Sequence, residues 1–338
     1  MFLIILIIAA VVEFTGSKKA SAAFDAMSTT TTVQLEGRDA EKAAAEIRSE
    51  SQRIEDLLSM YVEGSDIYNI NNGNGYVAVS PETALLLERC GDFSEESSGI
   101  FDVTIGRLTQ LWGICSDNPT VPSDKEIADA LAAAGQTDRL RNTEKAGITC
   151  IETDGSLCID LGGVAKGYAL DCFRNILDNN RISKGIISIG GNVLVYGDNN
   201  GKQYSVGLRT PVKYDSGYFC AISLSDTVVS TTGGYERFFT ASDGTVYNHV
   251  LDPRTGYPTD NGLLSVSVIC PDATRADYLS TRLFILGEDE AAVLFDELAK
   301  EGIYVVMVND RNVVRCSREL EKIMPVEKRS KEHTFIFE

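Results

Sequence analysis

The chain has 338 residues, enough for one large domain or two ordinary ones with ample core. It is 43% hydrophobic and 24% charged, the balance of a folded globular protein, and its net charge is −18 with no lysine- or arginine-rich block to offset it. Such a surface repels polyanions, which argues against nucleic acid as a partner and requires any phosphorylated ligand to meet a local positive site or a metal. Eight cysteines lie scattered without a CxxC or a cysteine–histidine cluster, so zinc and iron–sulfur sites find no support. Cys158 and Cys172 read as small core residues.

In chain order, Phe2 to Val12 is an unbroken apolar run too short to span a bilayer comfortably, and Ala20-Ser21-Ala22 follows as an A-x-A pattern. Residues 1–22 are therefore expected to be a signal peptide or a retained membrane anchor. No basic residue precedes the run, and an apolar first element of the fold is the alternative. TTTTVQLEG (29–37) reads as a strand, and Ala43, Ile47, Ile54, Leu57 and Leu58 mark a helix over 39–58. The Gly- and Asn-rich 61–75 reads as a loop, and Pro81 and Glu82 start a helix that ends in a turn before 102. Residues 118–150 suggest a surface helix or insertion. A hairpin broken at Gly190-Gly191 spans 183–197, short alternating strands follow, and Asp272 to Leu286 is helical, closing at Gly287. Val164, Tyr168, Cys172 and Ile176 predict the apolar stripe of the helix after Gly163. Without a regular βαβ rhythm the fold class is α+β.

Four groups carry candidate chemistry. In IDLGGVAKGYA (159–169) a strand breaks at two glycines and enters a helix with Lys166 in its first turn. Backbone N–H groups, a helix dipole and an ammonium then surround one volume that suits a phosphate or pyrophosphate. Asp160, Gly162, Gly163 and Lys166 also describe an ordinary tight turn with an outward lysine. Asp277, Ser280 and Thr281 share one helix face, an oxygen-only set suited to Mg²⁺; a helix start with an early Asp is the alternative. On that reading Asp277→Ala removes the metal's carboxylate yet spares the fold, at ~0.3–1 kcal/mol. His249, one of two histidines, precedes LDPRTG, a rigid turn that could position an acid/base; a structural histidine is equally consistent. Tyr61 is either a stacking platform for a flat ring or a packed tyrosine.

Taken in order, AMSTT (26–30), YVEGSDIYNIN (61–71), FDVTIGRLTQLWG (101–113), IDLGGVAKGYALD (159–171), ISIGGNV (187–193), STTGGYERFF (230–239), HVLDPRTGYP (249–258) and ADYLSTRLFILG (276–287) resemble the FAD:protein FMN transferases, the ApbE family. The resemblance spans about 24–315, leaving 316–338 as a C-terminal tail. It implies an ApbE-like fold and an exported, Mg²⁺-dependent enzyme that splits FAD at the pyrophosphate. AMP is released, and FMN is joined through its phosphate to a threonine or serine of an acceptor flavoprotein at an Asp-Gly-x-Thr-like motif. By the same resemblance Met27, Tyr61, Phe101, Asp102, Asp160, Lys166 and Leu251 line the FAD site. The Gly163 carbonyl, Asp277, Ser280 and Thr281 hold the metal, and His249 sits at the reacting phosphate. The attacking hydroxyl must lose a proton, which His249 or Asp277 could receive. Two residues depart from the family pattern: Ser28 stands where glycine is usual, and Asp66 where glutamate is. Hydrolysis of FAD to FMN and AMP, or FAD storage without turnover, are the alternative activities.

Overall fold

The computed structural model describes residues 17–211 and 217–338. The apolar run at Phe2–Val12 lies outside them. Nine strands form the main sheet: β1 (Lys18–Ala26), β2 (Thr29–Gly37), β3 (Ile182–Ile189), β4 (Asn192–Gly197), β5 (Thr227–Gly233), β6 (Leu263–Cys270), β7 (Tyr304–Asn309), β8 (Val313–Cys316) and β9 (Thr334–Phe337). Their spatial order is their chain order. Every neighbouring pair is antiparallel except β8 with β9. Three long helices cover one face: α1 (Ala40–Leu58) on β1 and β2, α2 (Ala165–Asp178) on β3 and β4, and α3 (Ala273–Leu286) on β5 and β6. Sheet and helices together make the α+β fold the sequence suggests.

At the centre of the sheet, in β5 to β7, both faces are buried and the strands alternate between two cores, whereas β1 and β2 keep one exposed face. Val228, Val268, Val305 and Met307 join the helices in the larger core. Val229, Ile269, Val306 and Val308 join the smaller one, which a hairpin of Tyr204–Arg209 with Tyr218–Leu224 closes. Period-two exposure has become period-two choice of core. Among the described residues no helix is long and apolar enough to cross a membrane.

Several sequence expectations change on folding. The 61–75 loop contains a helix, Asp66–Asn72, capped by the Ser65 hydroxyl and held by buried Ile67 and Ile70; its Asn content had masked that i,i+3 apolar pair. Asp66 accepts from Ser80 N–H and Thr83 Oγ1 at 2.8 and 2.6 Å, which ties this helix to the start of Pro81–Glu96. The 118–150 stretch holds the helix Asp124–Leu131 with a capping box. Beyond it, the strands Thr143–Lys145 and Ile148–Thr153 join Gly75–Ala78 in a small sheet. On α2 the fully buried residues are Ala169, Leu170, Phe173 and Leu177, while Tyr168, Cys172 and Ile176 are half-buried. That helix packs on α1, on α3 and on the sheet, so its apolar arc is wider than one stripe. Residues 316–338 are not a tail: Leu320 and Met324 are fully buried in the smaller core and β9 extends the sheet.

Helices α2 and α3 meet at Gly167. A Cβ there would stand 2.3 Å from the carbonyl oxygen of Ala273 and 2.8 Å from Cβ of Asp277. Gly167→Ala must therefore push two packed helices apart, and we expect it to cost about 1–3 kcal/mol or more. Thermal and urea denaturation check this; an unchanged midpoint would show that the crossing tolerates a methyl group.

Candidate active site

The functional site gathers at the end of the sheet where the β1–β2 turn, the β3–β4 turn and the end of β5 come together. Met27 and Ser28 form the first turn with φ of 52° and 57°, a left-handed pair that suits glycine better than serine. Ser28 thus holds a backbone conformation that glycine would adopt without strain. Gly190 and Gly191 form the second turn, also at positive φ. A cleft of about 510 Å³ opens here, walled by Met27, Tyr61, Phe101, Asp160, Lys166 and His249, among others.

The start of α2 supplies the floor. The strand expected before Gly162 is an extended segment without sheet pairing; it ends at Asp160, whose Oδ1 accepts from Gly162 N–H at 2.8 Å and whose Oδ2 accepts from Thr109 Oγ1 at 2.8 Å. Lys166 then directs its ammonium to the Gly162 carbonyl at 3.1 Å and lies 3.7 Å from Asp277 Oδ2. A Cβ at Gly163 would meet the Phe101 ring at 2.9 Å and Thr281 Oγ1 at 3.5 Å, so glycine lets the helix start reach the α3 hydroxyl. Cation, helix start and hydroxyl share one wall.

Asp277 lies deeper than its spacing suggests. It is 2% exposed, and its Oδ1 accepts from Asn192 Nδ2 at 2.9 Å and Ser230 Oγ at 3.0 Å. Oδ2 accepts from Gly167 N–H at 2.9 Å. Asp277→Ala would strand buried donors on three elements, so the expectation that the fold survives it is overturned. Ser280 is fully buried; its hydroxyl donates to the Asp277 carbonyl at 2.9 Å and contacts Thr232 Oγ1 at 2.8 Å. Thr281 alone of the three lines the cleft. Asn192, Ser230 and Thr232 carried no sequence signal, because strand spacing does not reveal which hydroxyls a distant helix will meet.

The remaining expected residues surround the cleft. Phe101 and Leu251 are buried in its wall, and Tyr61, 68% exposed, offers its ring at the mouth. Asp102 borders the cleft, but its carboxylate accepts from Thr104 N–H, Thr104 Oγ1 and Gly135 N–H at 2.7, 2.7 and 2.8 Å, which makes it a loop organiser. Arg237, which spacing did not single out, enters the cleft beside His249.

His249 is half-buried, and its Nδ1 lies 3.2 Å from the Arg237 carbonyl, which also accepts its backbone N–H at 3.1 Å. A carbonyl only accepts, so Nδ1 carries the proton and Nε2 keeps its lone pair. Burial, then Lys166 and Arg237, push the imidazole down to about 4.

An extended segment without strand pairing turns at Gly162 and Gly163 into the start of α2, and it stands beside a neutral imidazole and a buried carboxylate–hydroxyl cluster. Residues 27–307 match the ApbE family, and the chain belongs to it. It is 31% identical over 289 residues to an FAD:protein FMN transferase of Treponema pallidum, covering 81% of this chain and 79% of the relative. It is 30% identical over 279 residues to one of Klebsiella pneumoniae, covering 82% and 85%. Among solved structures, the ApbE protein of Thermotoga maritima superposes with a TM-score of 0.82 at 31% identity, covering 91% of this chain and all of that one. The flavin transferase ApbE of Vibrio cholerae gives 0.77 at 25%, covering 91% and 100%.

The histidine's environment has a measurable consequence. Its folded value lies below the ordinary 6.5, so the native state binds fewer protons than the unfolded chain between about pH 4 and 6.5. His249 therefore contributes stability that is complete above that window and is lost as pH falls through it. NMR titration, with His333→Gln to assign the second ring, should place the His249 midpoint near 4. A midpoint near 6.5 would contradict the desolvated, cation-flanked ring.

Proposed function

We propose that the chain is an FAD:protein FMN transferase that uses Mg²⁺ and acts outside the cytoplasm on acceptor flavoproteins carrying an Asp-Gly-x-Thr-like motif. The observation that carries this reading is one cleft holding Lys166, Arg237 and His249 at the start of a helix, with Thr281 on the same wall. The relatives' shared activity points the same way.

The pyrophosphate of FAD meets the Lys166 ammonium and the positive end of α2, which offset its charge where the −18 protein as a whole repels it. The acceptor hydroxyl oxygen attacks the FMN-side phosphorus. That O–P bond forms as the bond from the same phosphorus to the bridging oxygen breaks, and AMP departs with the bridging oxygen. The hydroxyl proton passes to Nε2 of His249. An imidazole held near 4 is a weak base, but an arriving anion offsets the two cations that depress it and raises its basicity. Asp277, with both oxygens engaged inside the protein, is a poor second candidate for that proton. The donor set of Asp277, Thr281 and the Gly163 carbonyl is all oxygen, which fits a small hard cation. Mg²⁺ there supplies charge neutralisation on the phosphoryl oxygens.

Export is supported by the Phe2–Val12 run. Ala20, Ser21 and Ala22 pair with β2, so a cut after Ala22 would remove the first half of an edge strand, which favours a retained segment acting as a membrane anchor. Amino-terminal sequencing of native protein should find the segment in a membrane fraction; a chain starting at Ala23 would refute retention.

Incubation with FAD, Mg²⁺ and an acceptor bearing the threonine motif should add the mass of FMN to the acceptor and release AMP. Free FMN with AMP and an unmodified acceptor would establish hydrolysis instead, and intact bound FAD would establish storage. In the same assay Thr281→Val should raise the Mg²⁺ concentration for half-maximal rate several-fold while the melting temperature holds. Unchanged Mg²⁺ dependence would remove Thr281 from the metal site.

A further inference from the structure

We propose that Arg237 is the second pyrophosphate-binding cation of this cleft: its guanidinium, stapled to the β1–β2 turn, clamps the substrate together with Lys166, while its own carbonyl aims His249. The proposal rests on the FAD-cleaving reading of the site.

Three observations meet at this residue. Arg237 Nη2 donates to the Ser28 carbonyl at 2.6 Å. That carbonyl belongs to a residue forced into the left-handed region, φ 57°. A guanidinium has five N–H donors in a fixed fork, so one bond to Ser28 orients the plane and leaves donors for an anion. Nη1 lies 3.8 Å from the Cys115 thiol, a weak partner that a phosphate oxygen would outcompete. The side chain is exposed and lines the cleft with Lys166 and His249. Finally, the same residue's carbonyl takes both the backbone N–H and Nδ1–H of His249, so substrate clamp and base orientation move as one unit. Lys166 and Arg237 are the two charged groups that bear on the imidazole.

The two roles separate in Arg237→Gln and Arg237→Lys. Arg237→Gln keeps the backbone carbonyl and removes the charge. FAD affinity, from flavin fluorescence titration, should fall about tenfold or more, the worth of one charge-assisted phosphate contact. The His249 NMR midpoint should rise above about 4 by the Arg237 share alone, because burial and Lys166 still hold it below 6.5, and the acid limb of kcat/KM should move up in pH with it. Arg237→Lys should restore the His249 midpoint and only part of the FAD affinity, because the charge returns without the fork. A purely structural staple would instead lower the melting temperature and leave the His249 midpoint unmoved. Wild-type FAD affinity in Arg237→Gln, or weakened affinity with an unmoved midpoint, overturns the proposal. Binding and titration need no acceptor protein. A chain that shows both shifts yet transfers no FMN would therefore sink the transferase reading and leave this one standing.

Discussion

The crossing of α2 and α3 at Gly167 is the constraint on which the site depends. Each helix caps the other there. Asp277 of α3 accepts from the Gly167 N–H in the first turn of α2. Asp171 of α2 accepts from the Ala273 and Thr274 N–H groups that open α3, at 2.9 Å each. Helix starts leave N–H groups unsatisfied, and buried ones must find acceptors. Val164, at the N-cap of α2, has no side-chain acceptor to give, so the neighbouring helix provides it. The reciprocal arrangement requires the two backbones to approach closely, which a side chain at 167 would prevent. It also fixes Thr281 one turn beyond Asp277, against the start of α2.

Positive charge in the cleft is local. The chain is strongly acidic overall and Glu55, Asp102, Asp160 and Glu236 also border the cleft, yet Lys166 and Arg237 are the charges that bear on the imidazole. The neutral imidazole keeps a bare Nε2, and the two cations that act on it line the same cleft.

Local hydrogen bonds support the cleft wall at Ser28 and Asp66. Ser28 accepts a left-handed backbone at some cost, and the Arg237 guanidinium holds its carbonyl in place. Asp66, shorter than glutamate, reaches the Ser80 N–H and the Thr83 hydroxyl directly and braces the loop that carries Tyr61. Both changes alter how the cleft wall is supported rather than the groups that face the substrate.

The sequence by itself determined the α+β class, the Gly190–Gly191 hairpin, the helix closing at Gly287 and the family. Those features are written in residue order: glycines where φ is positive, and apolar residues at helical or strand period. The strand expected at 159–160 is an unpaired extended segment instead. Only the tertiary structure decided that Ser280 is buried away from the cleft lining, that Asp277 is a buried hydrogen-bond hub, and that 316–338 completes the sheet. It alone brought Arg237 to His249 and Asn192 to Asp277. Spacing along one helix tells which residues share a face, but not how deep that face lies or what meets it. Depth and partners are set by how closely separate elements can pack, here by a glycine that allows two helices to touch.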